Sequence, residues 1–329
     1  MILPHKFTQA HFGYGIRGYL HKRGLLNRIY SFGTNQVFAD ATTYTCLLFL
    51  QGSQRDHWHY YEMPYVDSDP QVMKELLYAV TDGDMALLPI SSYSSDSWVL
   101  GDIETAAILE RIQASEQMLA ELVDGIFQGI VTGLNDVFIL DAHLPYETKG
   151  SLHLFSPQLN QEVEIEAGIL RPFAKGEDIS RYRHVEPTRW LLYPYETVGD
   201  KVRLYREDEI KAMFPLAYDY LLRNRGDLER RGSRKMHYEA WYALWNPRTP
   251  QRFARPKILA PDICYRGRMT VSLYKDLLHA DTTYAIIPKR ELEYDIYALL
   301  AILNSHLLWF FLTQIGTPLR GGYYRYKTK

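Results

Sequence analysis

The run GIFQGIVTGLNDVFIL, residues 125–140, constrains the fold more than any other stretch. Its apolar residues favour a sheet, but Gly125, Gly129, Gly133 and the Thr132-Gly133-Leu134-Asn135 turn interrupt it at short intervals. Glycine inside a strand pattern marks a bulge, a sharp bend or the close approach of another backbone, so the run is not one continuous strand. Gly129 and Gly133 are expected where the chain turns sharply or comes near a partner. Asn135 tolerates left-handed geometry and is expected to bond its own turn. The loop is expected to serve a surface role.

On either side of this run the texture of the chain differs. Upstream, the pattern predicts a helix over 8–26, strands at 28–32 and 43–50, an alternating edge strand at 57–62 and a helix over 70–80. ISSYSSDSWVLGD, residues 90–102, reads as a surface linker, and a helix is predicted over 103–122. Downstream come short strand candidates at 127–131, 137–140, 163–165, 190–193, 242–245, 257–260 and 284–287. Helices are predicted over 208–223 and 294–312. An α/β piece therefore gives way to a mixed α+β piece between about 100 and 123, and a length of 329 residues suits about two domains.

Hydrophobic content of 47% and charged content of 23% are those of a globular protein. No stretch reaches the roughly 18 uninterrupted apolar residues of a membrane span, because Asn304, Ser305 and His306 break the most apolar one. The start, MILPHKFTQAHF, lacks the basic and apolar regions of a signal peptide. Cys46 and Cys264 lie far apart and read as reduced and structural, which points to the cytoplasm. Net charge is only −2, but it is unevenly spread. Residues 221–270 carry 12 Lys/Arg against 4 Asp/Glu, with Tyr238, Trp241, Tyr242, Trp245, Phe253 and Tyr265 among them. Arg223, Arg225, Arg230, Arg231, Arg234 and Lys235 read as a flexible cationic loop after a helix, suited to phosphate contacts.

Small-molecule motifs are weaker. GYGIRG, residues 13–18, fits a dinucleotide-binding pattern, with Asp40 at the distance of a ribose ligand. This leaves an NAD(P)-dependent oxidoreductase as the alternative function, although no apolar strand precedes Gly13. His57 and His59 share one side of a strand but lack a third ligand, so no metal is expected.

IFQGIVTGLNDVFIL, followed by LRPFAKGEDISRYR (170–183), RWLLYPY (189–195), RPKILAPDI (255–263) and LLAILNSHLLWFFL (299–312), resembles the TaqI-like specificity domain. This is the C-terminal target-recognition region of adenine-N6 DNA methyltransferases and of fused type II restriction-modification enzymes. Upstream, ILPHKF, IRGYL and IYSFGTNQVFADATTYTCLLFL resemble the last third of the methyltransferase domain of the same enzymes.

The resemblance implies residues 1–100 as the end of that domain and 101–329 as a target-recognition domain with a linker helix. The implied fold is a partial Rossmann-like methyltransferase sheet followed by a mixed α+β domain. The implied partner is double-stranded DNA, with a separate methyltransferase or nuclease polypeptide as a further possibility, since no P-D…E-x-K nuclease pattern is present. Lys175, Arg181, Arg183, Arg266 and Arg268 are the expected base readers and the arginines at 223–234 the phosphate contacts. Asp178 paired with Arg181 is the structural alternative for those two residues. Phe38 is the candidate stacking surface for a flipped adenine, and core packing is its alternative.

Neither the glycine motif that binds S-adenosylmethionine nor an N-P-P-Y or D-P-P-Y tetrapeptide occurs in the sequence. In the family order both precede ILPHKF, and the family also continues past GGYYRYKTK. The chain is therefore expected to be a portion or a subunit of a larger enzyme. S-adenosylmethionine is expected in the intact enzyme, and neither a cofactor nor a catalytic residue in this chain alone.

Overall fold

The computed structural model describes all residues except 42, 54, 102, 143–146, 149, 200, 233–236, 292–294 and 327–329. The described residues divide into two units, 1–117 with 306–326, and 118–305.

The first unit is built on a five-stranded sheet in the order Ile2–Pro4, Thr45–Leu50, Leu26–Ser31, His57–Glu62, Ala86–Pro89. One pairing, Leu26–Ser31 with His57–Glu62, is parallel and the other three are antiparallel. The strand predicted as an edge, His57–Glu62, is therefore internal. Ala86–Pro89, four residues and too short to show an alternation, covers it. Helix Tyr14–Arg23 ends at Gly24, whose φ of 58° lets its N–H reach back to the last turn. Helix Pro70–Ala79 opens with the Asp69 carboxylate accepting from the N–H groups of Gln71 and Val72.

The segment expected to be a surface linker keeps its serines at the surface but sends two aromatic side chains into the core. Tyr93 and Trp98 are buried, and their rings meet Trp58 at 5.3 and 5.9 Å. Two large aromatics outweigh the serines around them because each removes so much apolar surface from water.

The second unit holds two larger sheets. In one, the order is Gln161–Glu166, Ser151–Ser156, Ile139–Asp141, Arg189–Leu192, Leu170–Ala174, Leu278–His279, with Glu147–Thr148 beside Ser151–Ser156. Its one parallel pair joins Leu170–Ala174 to Leu278–His279. The other sheet is antiparallel: Thr270–Ser272, Lys257–Pro261, Thr283–Pro288, Val123–Gln128. Phe138, Leu140, Ile165, Phe173, Leu191 and Tyr220 lie in its main core.

The predicted helix over 208–223 is two helices, Glu207–Met213 and Pro215–Arg223, because the residue before a proline is driven out of helical geometry. The one predicted over 294–312 is also two, Ile296–Leu303 and His306–Ile315. Residues 242–245 form no strand, although Tyr242, Ala243 and Leu244 are buried.

The glycine-broken run turns inward. After strand Val123–Gln128 the chain crosses beside residues 279–281. The Ile130 N–H donates to the His279 carbonyl at 2.8 Å, and the Asp281 N–H donates to the Ile130 carbonyl at 3.0 Å. A Cβ on Gly129 would lie 2.1 Å from the His279 oxygen and 2.3 Å from that of Ala280. The glycine thus admits the protein's own backbone rather than a partner. Ile130 and Thr132 are 1% exposed, so this is not a surface loop. Gly133 takes φ +83°, with the Tyr238 hydroxyl 2.3 Å from where its Cβ would be. Asn135 opens the helical turn Asn135–Phe138 instead of adopting left-handed geometry, and it does bond its own turn, accepting from the Thr132 hydroxyl at 2.6 Å.

Candidate nucleic-acid interface

Two loops of the second unit meet around one buried side chain. The first, residues 175–183, leaves strand Leu170–Ala174, where the Ala174 carbonyl accepts from the Ala280 N–H. The second, residues 265–269, precedes strand Thr270–Ser272. Asn304, 2% exposed at the break between the C-terminal helices, grips the second loop through Met269, donating Nδ2–H to its carbonyl and accepting its N–H on Oδ1. The Asn304 carbonyl accepts from Arg181 at 2.6 Å on the first loop. Arg268 donates to the Gly176 carbonyl at 2.9 Å, and the Thr270 hydroxyl donates to the Arg183 carbonyl. Gly267 passes so close to Asn304 that a Cβ would sit 3.2 Å from its Cα.

Five expected residues, Lys175, Arg181, Arg183, Arg266 and Arg268, are thereby brought together. Arg181, Arg183 and Arg266 are exposed, while Lys175 and Arg268 are half-buried. Arg266 has φ +86° and lies over the Tyr265 ring, and Tyr182 has φ +59° beneath the Arg181 guanidinium. Left-handed backbone at a non-glycine residue persists only where the surroundings fix it, and such residues concentrate at functional sites.

The loop's acids face another partner. Arg189 binds Asp178, Glu177 at 2.6 Å and Asp141 at 3.2 Å. The alternative pairing of Asp178 with Arg181 does not form, since the nearer, half-buried Arg189 takes the carboxylate. Neutralising Glu177 and Asp178 from one side leaves the positive potential of Arg181 and Arg183 less opposed.

The arginines at 223–234 behave differently. Arg223 lies over Tyr220, Arg225 pairs with Glu229 at 2.7 Å and Arg230 with Asp227 at 2.6 Å. Residues 225–230 are helical, so the expected flexible loop does not exist over them. Arg231 points inward: it donates to the carbonyls of Thr132, Trp241 and Ala243 and stacks on Tyr238 at 4.0 Å. Its fork is consumed in clamping residues 132 and 241–243 together, which removes it from the phosphate contacts. Arg234 and Lys235 lie outside the described residues.

Two further arginines, Arg248 and Arg252, flank the glycine-broken run. Arg248, at φ +52°, faces the Gly129 carbonyl, and exposed Arg252 lies 4.8 Å from the Phe127 ring centre. Asn304 was visible only as a break in an apolar helix.

In the first unit Phe38 is 44% exposed, so core packing does not account for it. The Gln36 amide steadies its loop by donating to the carbonyls of Phe38 and Ala39. GYGIRG has no preceding strand: 3-10 turns His5–Thr8 and His11–Gly13 lead into helix Tyr14–Arg23. A Cβ on Gly13 would lie 1.9 Å from the Phe7 carbonyl, and buried Arg17 donates to Phe7, Ala10 and Ser95. Gly13 thus packs the chain on itself and Gly18 lies against Ser95, whereas Gly15 faces open space. Among the described residues no three potential metal ligands cluster.

One family model covers this region. Residues 171–329 match the TaqI-like C-terminal specificity domain. The whole chain is 27% identical to part of the type II restriction enzyme and methyltransferase RM.Eco57I of Escherichia coli, spanning 33% of that protein. Over 79% of its length it is 23% identical to the type II methyltransferase M.BstVI of Geobacillus stearothermophilus, spanning 43% of it. The chain thus covers less than half of each relative. Its fold is similar to that of the type IIL restriction-modification enzyme MmeI, solved in complex with DNA, with a TM-score of 0.56 at 14% identity over 99% of this chain and 37% of that one. The matched residues, 171–329, carry both loops held by Asn304.

Proposed function

We propose that this chain supplies sequence-specific DNA recognition within a type II restriction-modification methyltransferase whose catalytic motifs lie in other residues of the intact enzyme. One observation carries this: the specificity-domain match coincides with the two loops that Asn304 locks side by side, presenting Arg181, Arg183 and Arg266 to solvent. Arginines carried on loops whose backbone is fixed suit guanine edges and phosphates, because less freedom is lost on binding. Lys175 and Arg268 support them, and Arg223, Arg225 and Arg230 extend the phosphate contacts.

In this reading the five-stranded sheet is the end of a Rossmann-like methyltransferase sheet. A methyltransferase portion at 1–100 and a recognition portion at 101–329 are its domains. The intact enzyme methylates adenine N6 with S-adenosylmethionine as donor. The adenine must leave the helix, since N6 cannot be reached while stacked, and exposed Phe38 offers it a ring to lie on. The donor is held outside this chain, where Phe7 and Arg17 occupy the space beside Gly13. Cleavage, where it accompanies methylation, belongs to other residues or to a separate polypeptide. A cytoplasmic location fits the buried free thiols of Cys46 and Cys264.

Repeated selection of duplexes from a randomised pool by the purified chain tests this. Enrichment of one short motif is expected, together with no methyl transfer by the chain alone. A pool that stays random through successive rounds contradicts the recognition role.

A further inference from the structure

Tyr182 stands between Arg181 and Arg183 on the first loop, 56% exposed and at φ +59°. Single exposed aromatics are ordinary on protein surfaces. This one is unusual in how it is held. The Arg183 N–H closes a turn onto the Ser180 carbonyl at 3.1 Å, and the Arg183 carbonyl accepts from Thr270. The Arg181 guanidinium, fixed to the Asn304 carbonyl, covers one face of the ring at 5.0 Å from its centre. The tyrosine is thus pinned in a conformation that residues other than glycine seldom adopt, with a cation behind it and much of its surface in solvent.

We propose that Tyr182 is a stacking platform for a nucleobase displaced from the duplex stack, with Arg181 backing the ring and Arg183 taking the adjacent phosphate. The proposal rests on the DNA-recognition reading above. Every base has a π-face, so stacking on a fixed aromatic ring needs no sequence match, and a guanidinium behind the ring adds cation–π attraction. Unstacking costs least where a base is already unpaired. The protein therefore favours a duplex with a single-base bulge over its fully paired counterpart.

Fluorescence anisotropy of the intact chain on the two duplexes tests the proposal. Wild type is expected to bind the bulged duplex about ten-fold more tightly, the order of one base stacked on an aromatic. Tyr182→Ala should erase that preference and Tyr182→Phe should keep it. All three should share one salt slope, since stacking releases no counterions, and one thermal midpoint. Preference retained in Tyr182→Ala overturns the platform. Preference lost equally in Tyr182→Phe also overturns it, because the hydroxyl would then be the contact. Wild type that binds neither duplex refutes the DNA-recognition reading itself, a result separate from either of these.

Discussion

Asn304 and Met269 are joined by two hydrogen bonds of 2.9 Å, side-chain amide to main-chain carbonyl and main-chain N–H to side-chain oxygen. The pair makes one side chain act as a short piece of sheet, fixing the arginine-bearing loop at 265–269 without a strand. Asn304→Ala would leave both Met269 groups buried and unpaired. A loss of about 2–4 kcal/mol in urea unfolding is expected, since each orphaned buried group costs about 1–3 kcal/mol.

Gly129→Ala should be among the most damaging small substitutions in the chain. Its new methyl meets two backbone carbonyls at 2.1 and 2.3 Å, and neither can swing aside as a side chain would. A cost of about 3 kcal/mol or more is expected on the scale of overpacking. Gly15→Ala, in helix Tyr14–Arg23 with nothing within 4 Å of the added carbon, serves as the control and should stabilise by about 0.5–1 kcal/mol. Equal effects from the two would show that the contact at residues 279–280 is not tight.

Acid stability should depend on His279. Burial, then the neighbouring Lys257 ammonium, push this fully buried imidazole down from 6.5 to about 3. The unfolded chain therefore binds the proton more readily between those values. Stability contributed by the neutral ring is complete above pH 6.5 and is lost as pH falls towards 3. In His279→Leu the fall in unfolding free energy across that window should be shallower by on the order of 3 kcal/mol, read from urea midpoints at several pH values. An unchanged acid limb would place the sensitivity elsewhere.

Arg231 and Arg183 should separate cleanly although both are arginines in a basic chain. Arg231→Ala removes donors from three carbonyls and should lower stability by about 2 kcal/mol or more while leaving the salt dependence of DNA binding intact. Arg183→Ala should leave stability unchanged and reduce the salt slope by about 1. Chemical denaturation and binding at graded salt, run on both variants, decide the matter.

How far such roles could be read beforehand follows from where each signal resides. Strand 57–62 was legible because alternation is local, but its internal position was not, because its neighbour Ala86–Pro89 is too short to carry a pattern. The glycines at 129 and 133 announced a constraint without its source, since the oxygens of residues 279–280 and the hydroxyl of Tyr238 approach from distant sequence. Trp98 was hidden by serines. Lys175, Arg181, Arg183, Arg266 and Arg268 were placed through resemblance, whereas charge density alone pointed equally to Arg231, which folds inward. Asn304 was legible only as a polar break in an apolar helix, which does not say what it bonds.

The most direct test of the central claim is the salt dependence of duplex binding by the wild-type chain and by a variant with Arg181, Arg183 and Arg266 all changed to alanine. Wild type should give a log–log slope of about −3 to −5, the counterion release of several phosphate contacts, and the variant a slope shallower by about 2–3 with its fold intact. Wild-type binding that ignores salt, or a variant whose slope matches it, would contradict a DNA-facing role for the loops that Asn304 holds.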